Sequence, residues 1–192
     1  MPNAPMAELV VDARNGVGES PVWLATEQAL YWTDIPARRM HRLSVASGAL
    51  EQWDLPEMAG CMAPHARGGW IAAMETGIFH LHLHGGGLAT ASRLATEAHS
   101  QPGMRFNDGR TDRQGRFWVS SMARHAVAAS ATGTLFRYAK GRFATRKVAC
   151  PFASSATARA SRTAFKSRGM PVRYSSIAIR MATLRGESVI SG

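Results

Sequence analysis

The sequence predicts an all-β protein whose strands are grouped into propeller blades. Three observations carry this. Short apolar or alternating runs bounded by turn residues fill the first three quarters of the chain, and their grammar is met three times over. Trp23, Trp70 and Trp118 stand 47 and 48 residues apart. A repeat of roughly 40 to 50 residues with several strands per unit is the period of propeller blades.

In the first pass, Ser20-Pro21-Val22-Trp23 and Ala29-Leu30-Tyr31-Trp32 are apolar runs separated by a polar stretch. Arg39 to Val45 then alternates with period 2 before the turn-like Ala46-Ser47-Gly48. The second pass gives Met62 to His65, Gly69 to Ala72 and Gly77 to Leu83. The third gives Arg105 to Gly109, Gly115 to Val119 and Gly133 to Tyr138. Three N-terminal blades are therefore expected, with the three tryptophans as core residues between them.

The formal charge of the 192 residues is +10, which at first suggests a phosphate-rich partner. The charge is unevenly placed. Residues 1–143 hold 14 basic and 12 acidic side chains, a net of +2, and residues 144–192 hold 9 basic and one acidic, a net of +8. All five Trp, all seven His and 15 of the 18 Gly precede residue 144. Two segments follow: a blade-forming unit over 1–143 and a basic Ala/Ser/Arg-rich tail over 144–192, expected to be irregular and without a packed core. No apolar run is long enough to span a bilayer and the N-terminus has no secretory pattern, so no membrane partner and a cytoplasmic location are expected. Cys61 and Cys150 fit neither a disulfide framework nor a zinc spacing and read as thiols.

Gly18-Glu19-Ser20-Pro21-Val22-Trp23, Leu30-Tyr31-Trp32-Thr33-Asp34-Ile35 and Met104-Arg105-Phe106-Asn107-Asp108-Gly109, followed by Gly115-Arg116-Phe117-Trp118-Val119, resemble the senescence marker protein/gluconolactonase/luciferin-regenerating enzyme family of regucalcin-like six-bladed propellers. The resemblance covers residues 8 to about 143 and implies an incomplete six-bladed β-propeller. It further implies a divalent-metal-dependent hydrolase of a small sugar lactone, with one divalent cation (Ca²⁺ or Zn²⁺, alternatively Mn²⁺ or Mg²⁺). By resemblance Glu19 is the metal carboxylate and Arg105 and Asn107 are substrate-binding residues. The residue types suit the chemistry: a hard carboxylate serves such cations, and a guanidinium and an amide can hold several sugar oxygens. Arg105 and Asn107 are one residue apart, so in a strand both face the same way, toward a pocket wall or toward solvent. His80, His82 and His84 also alternate, but the following Gly85-Gly86-Gly87 marks an exposed strand face rather than a zinc strand.

The chain departs from the family after Phe143. The family's further ligands, an Asn in a Pro-Asn-Gly motif and a later Asp that doubles as general base, have no match, and residues 144–192 contain no Asp. Within the matched part, Ser120-Ser121-Met122 replaces a usual Gly-Thr-Met, and His125 stands near a usual acidic position. Back-translated and reread from the third base of each codon, Ser161 to Met170 is compatible with a Pro-Asn-Gly segment of family type. The expectation is a shift of reading frame between Phe143 and Ser161 that replaced the remaining blades. This predicts impaired or absent lactonase activity, weak cation binding and self-association through exposed blade edges. A non-catalytic ligand-binding propeller fragment is the alternative. A nucleic-acid binder acting through the tail ranks lowest, because an out-of-frame, GC-rich text explains the same arginines.

Overall fold

A computed structural model of the chain describes residues 9–96, 99, 102–124 and 133–146. The tail from residue 147, with Cys150, and also His125 lie outside the described residues. Among the described residues, twelve strands form three four-stranded antiparallel sheets, each a meander in chain order. The first holds β1 (Gly18–Leu24), β2 (Ala29–Asp34), β3 (Arg39–Ser44) and β4 (Leu50–Asp54). The second holds β5 (Ala59–Pro64), β6 (Trp70–Met74), β7 (Gly77–Leu83) and β8 (Ala89–Thr96). The third holds β9 (Met104–Thr111), β10 (Phe117–Ala123), β11 (Leu135–Ala139) and β12 (Arg142–Arg146), the last running across the composition break at Phe143. These are three blades of an incomplete propeller, with the leading strands β1, β5 and β9 side by side at the centre.

Each blade has a fourth strand that the sequence pattern did not show. β4 is exposed apart from Trp53, and β8 offers the two cores only three alanines and Leu94. Strands made of exposed or very small residues leave a weak hydropathy signal. Tight turns complete the meanders: β11 and β12 are joined by Lys140 and Gly141, with φ of 50° and 75°, the two left-handed residues of a type I′ hairpin.

The sheets bury two cores between them. Tyr31, Met40, Met62, Trp70, Met74, Phe79 and Leu81 pack between the first and second sheets. Ile71, Ile78, Phe106, Phe117, Val119, Phe136 and Tyr138 pack between the second and third. Tryptophan spacing turns out not to be the structural period. The blades begin at Gly18, Ala59 and Met104, 41 and 45 residues apart, and Trp23 lies on a leading strand whereas Trp70 and Trp118 lie on second strands. Only Trp70 of the three is buried. Half-buried Trp118 instead donates its indole N–H to Asp112 at 2.7 Å, in a turn where Asp112 also accepts the backbone N–H groups of Gln114 and Arg116 and the Arg116 Nε. Partial burial pushes the Asp112 carboxyl up, but these hydrogen bonds outweigh it and hold the group well below the ordinary carboxylate range.

The outer face of the first sheet carries its own polar latch. Asp34 accepts the backbone N–H groups of Gly16 (2.9 Å) and Val17 (3.1 Å), which fastens the segment entering β1. Asn15 is buried there; its amide donates to Asp34 and to His41 Nε2, and its carbonyl accepts the Trp32 indole N–H at 2.8 Å.

Candidate functional site

The leading strands wall a central cavity of about 410 Å³, lined by Glu19 to Trp23 of β1, Met62 to Pro64 of β5 and Asp108 to Thr111 of β9. All three strands are irregular. Each carries one extra residue against its neighbour: between Glu19 and Val22 in β1, between Ala59 and Cys61 in β5, and between Phe106 and Gly109 in β9. A bulge bends a strand and re-aims its side chains, and bulges concentrate beside functional sites. In β1 the bulge accommodates Pro21, which has no N–H to give a ladder, and holds Ser20 at φ 54°. The Ser20 hydroxyl accepts the Met62 N–H at 3.0 Å and so ties β1 to β5.

Glu19 is exposed to the cavity beside the first bulge. Arg105 and Asn107 are half-buried on one face of β9 while Phe106 points into the core, as the alternation required. The two side chains are joined directly, with Arg105 Nη1 donating to Asn107 Oδ1 at 3.0 Å and to the Phe106 carbonyl at 2.8 Å. Burial lowers the proton affinity of the Arg105 guanidinium, and the Glu19 carboxylate opposes that shift, so the two charges sense each other across β1 and β9. Glu19 and Arg105 thus lie within electrostatic reach of each other, but of the three only Glu19 is among the residues that line the cavity. From β9 it is Asp108 and Arg110 whose side chains line the cavity, and the sequence pattern offered no reason to single them out beyond the turn character of Asp108-Gly109.

Small residues set the spacing. A Cβ on Gly60 would stand 2.6 Å from the Phe106 carbonyl oxygen, 2.7 Å from that of Asn107 and 2.8 Å from the Asn107 Cα. A Cβ on Gly109 would meet the Cys61 sulfur at 2.7 Å. Cys61 is fully buried there; burial raises its pKa far above that of an ordinary thiol, and Asp108 adds to the effect. A buried neutral thiol of this kind is packing, not a nucleophile.

A second polar group lies at the ends of β6 and β10. Buried Glu75 pairs with Arg124 from the third sheet and, at 3.9 Å, with Arg38 from the first, and it accepts the Met58 N–H at 3.1 Å. One carboxylate thus joins all three blades, and nothing in residue spacing announced it. The histidine strand also resolves: His84 Nε2 contacts the Thr90 hydroxyl, while the His80 ring lies tilted between those of His65 and His82, with centroids 4.3 and 4.2 Å away. Among the described residues no three His, Cys, Asp or Glu are arranged to hold a metal ion. The described donors, Glu19 included, therefore do not by themselves fit a divalent cation.

A three-bladed, all-β unit with bulged leading strands around a central cavity defines an incomplete β-propeller. The chain belongs to the SMP-30/Gluconolactonase/LRE-like family, whose pattern it matches over residues 17–162. It is 42% identical over 113 residues to a 6-deoxy-6-sulfogluconolactonase of Pseudomonas putida, a match that covers 59% of this chain and 38% of that protein. It is 30% identical over 116 residues to regucalcin of Danio rerio, covering 60% of this chain and 38% of the relative. Among solved structures, a luciferin-regenerating enzyme superposes with a TM-score of 0.69 at 21% identity, over 75% of this chain and 50% of that one. A regucalcin of Agrobacterium tumefaciens, described as a calcium-binding protein, superposes with a TM-score of 0.64 at 26% identity, over 73% and 46%. The chain thus spans 38% of the length of these two curated relatives.

Proposed function

We propose that this chain carries the N-terminal, substrate-holding wall of a sugar-lactone hydrolase. The observation that carries the reading is the Arg105–Asn107 pair, fixed beside a bulge with the Glu19 carboxylate in electrostatic reach. In such a site the Arg105 guanidinium would hold ring and hydroxyl oxygens and favour negative charge developing on the lactone carbonyl oxygen when water adds to it. The Asn107 amide, fixed by Arg105, would orient the sugar through its N–H groups. Glu19 is the proposed carboxylate for a divalent cation, completed by donors beyond the described ones, and no step is drawn through that cation. The Pseudomonas relative makes a lactone with an anionic substituent the first substrate to try, because Arg110 lines the cavity.

By itself the chain is proposed to turn over lactone poorly, because the family's general base has no match in it. The test has two arms. Binding of gluconate, the product acid, is followed by NMR in the wild type, Arg105→Ala and Asn107→Ala, with roughly tenfold weaker binding expected for each variant. Acid release from gluconolactone and from its 6-sulfo analogue is followed with Ca²⁺, Zn²⁺ or Mn²⁺ present. Unchanged gluconate binding by both variants sinks the substrate wall, and robust turnover sinks the claim of low activity.

A further inference from the structure

We propose that the cleft between the second and third blades, at the turns joining β5 to β6 and β11 to β12, is a second binding site, for a small organic anion that carries an apolar body. The cleft is a separate cavity of about 450 Å³, within the range of small-ligand sites. Pro64 and Thr111 form the wall it shares with the central channel, so Glu19 lies on the far side.

Its lining divides by chemistry. The floor is apolar: Ile71 and Phe117 are buried at 7% and 2% exposure, with Leu94 beside them. The rim supplies Arg67, Lys140, His65 and the Tyr138 hydroxyl, and no Asp or Glu is among the lining residues. The nearest carboxylate in sequence, Asp112, already accepts four hydrogen bonds within its own turn. Neither Arg67 nor Lys140 is in an ion pair among the described residues, and both are exposed. The Arg67 backbone N–H donates to His65 Nδ1 at 3.3 Å, so the neutral ring keeps its proton on Nε2. Burial raises the Tyr138 phenol and Arg67 opposes that shift, which puts the guanidinium charge close to this hydroxyl.

Cations gathered around an apolar floor with no counter-ion leave a field that a ligand can neutralise. Arg offers a planar fork and Lys a point charge to a phosphate or carboxylate, while the floor takes an aromatic or aliphatic body. Inorganic phosphate would satisfy the rim and leave the floor wet. An alcohol with the same body would leave the rim unpaired.

Calorimetry with phenyl phosphate on the full chain tests the site, with inorganic phosphate and benzyl alcohol as controls. The expected result is binding at about a millimolar or tighter, with each control roughly tenfold weaker. Arg67→Gln and Lys140→Gln, both surface changes away from the packed core, should each weaken phenyl phosphate roughly tenfold and leave the far-UV spectrum and gluconate binding unchanged. The proposal is overturned if phenyl phosphate does not bind, if inorganic phosphate binds as well, or if both variants bind it as the wild type does. Gluconate binding reads the central channel separately, so failure there leaves this result standing.

Discussion

Gly60 and Asn107 pack backbone against backbone: a Cβ on Gly60 would come within 2.8 Å of the Asn107 Cα, closer than side-chain carbons come. The bulge at Gly60 in β5 thus nests against the bulge after Phe106 in β9, and the position of the Arg105–Asn107 pair depends on a missing side chain in the neighbouring blade.

Gly60→Ala should therefore act at a distance of one blade. The obstacle is backbone, which cannot swing aside, and overpacking of this kind costs about 1 to 3 kcal/mol. Urea unfolding should show the loss, and gluconate binding should weaken with it. An unchanged midpoint and unchanged binding would show that β5 and β9 can separate freely.

Glu75 should behave as a clamp among the three blades. Replacing Arg124 by Met removes its main partner and leaves a buried carboxylate with Arg38 and one backbone N–H. The expected loss is about 1 to 3 kcal/mol by denaturant titration, at the lower end because Arg124 is itself partly exposed. Arg124→Met combined with Glu75→Gln should recover part of it, since the charge is then gone.

Stability should fall on mild acidification through His41. Burial is the main cause that lowers its proton affinity below the ordinary imidazole value of 6.5, with Arg39 adding to this and Asp34 opposing it. The geometry agrees, because Nε2 faces the Asn15 amide, a donor, and the ring stacks on Trp32 with centroids 5.1 Å apart. The unfolded chain therefore binds the proton more readily. The contribution is complete above the unfolded value and is lost as pH falls below about 6.5 toward the lower folded value. His41→Gln should flatten the stability profile in that window, and a profile identical to the wild type would remove His41 as its cause.

Cation binding should be weak and should depend on Glu19. Calorimetry with Ca²⁺ and with Zn²⁺ is expected to give affinities far below those of a complete cage, because affinity follows the number and preorganisation of oxygen ligands. Glu19→Ala should abolish what remains. Tight binding that survives the substitution would place the cation elsewhere.

The composition break near Phe143 makes a prediction at the level of the gene. We propose that the reading frame under residues 161–178 encodes a blade-like segment when shifted by two bases. Resequencing the locus decides this, and an open frame encoding the basic tail with no blade-like text beneath it would dispose of the idea.

Two levels of information separate in this protein. The strand grammar, the approximate positions of the first three strands of each blade and the shared face of Arg105 and Asn107 were legible in the sequence, because alternation of period 2 is a local property of a half-buried strand. Family membership was equally legible, through the Glu19 and Arg105–Asn107 segments. The fourth strand of each blade was not, since β4 and β8 pack too little to leave a pattern. Regular tryptophan spacing misled, because Trp23 and Trp70 occupy different strands of their blades. Tertiary structure alone decided the rest: the three bulges, the Gly60–Asn107 contact, the pairing of Glu75 with Arg38 and Arg124, and the move of His65, rather than His84, to the side of His80. Each joins residues far apart in the chain, and such contacts arise from how sheets stack, which no local periodicity encodes.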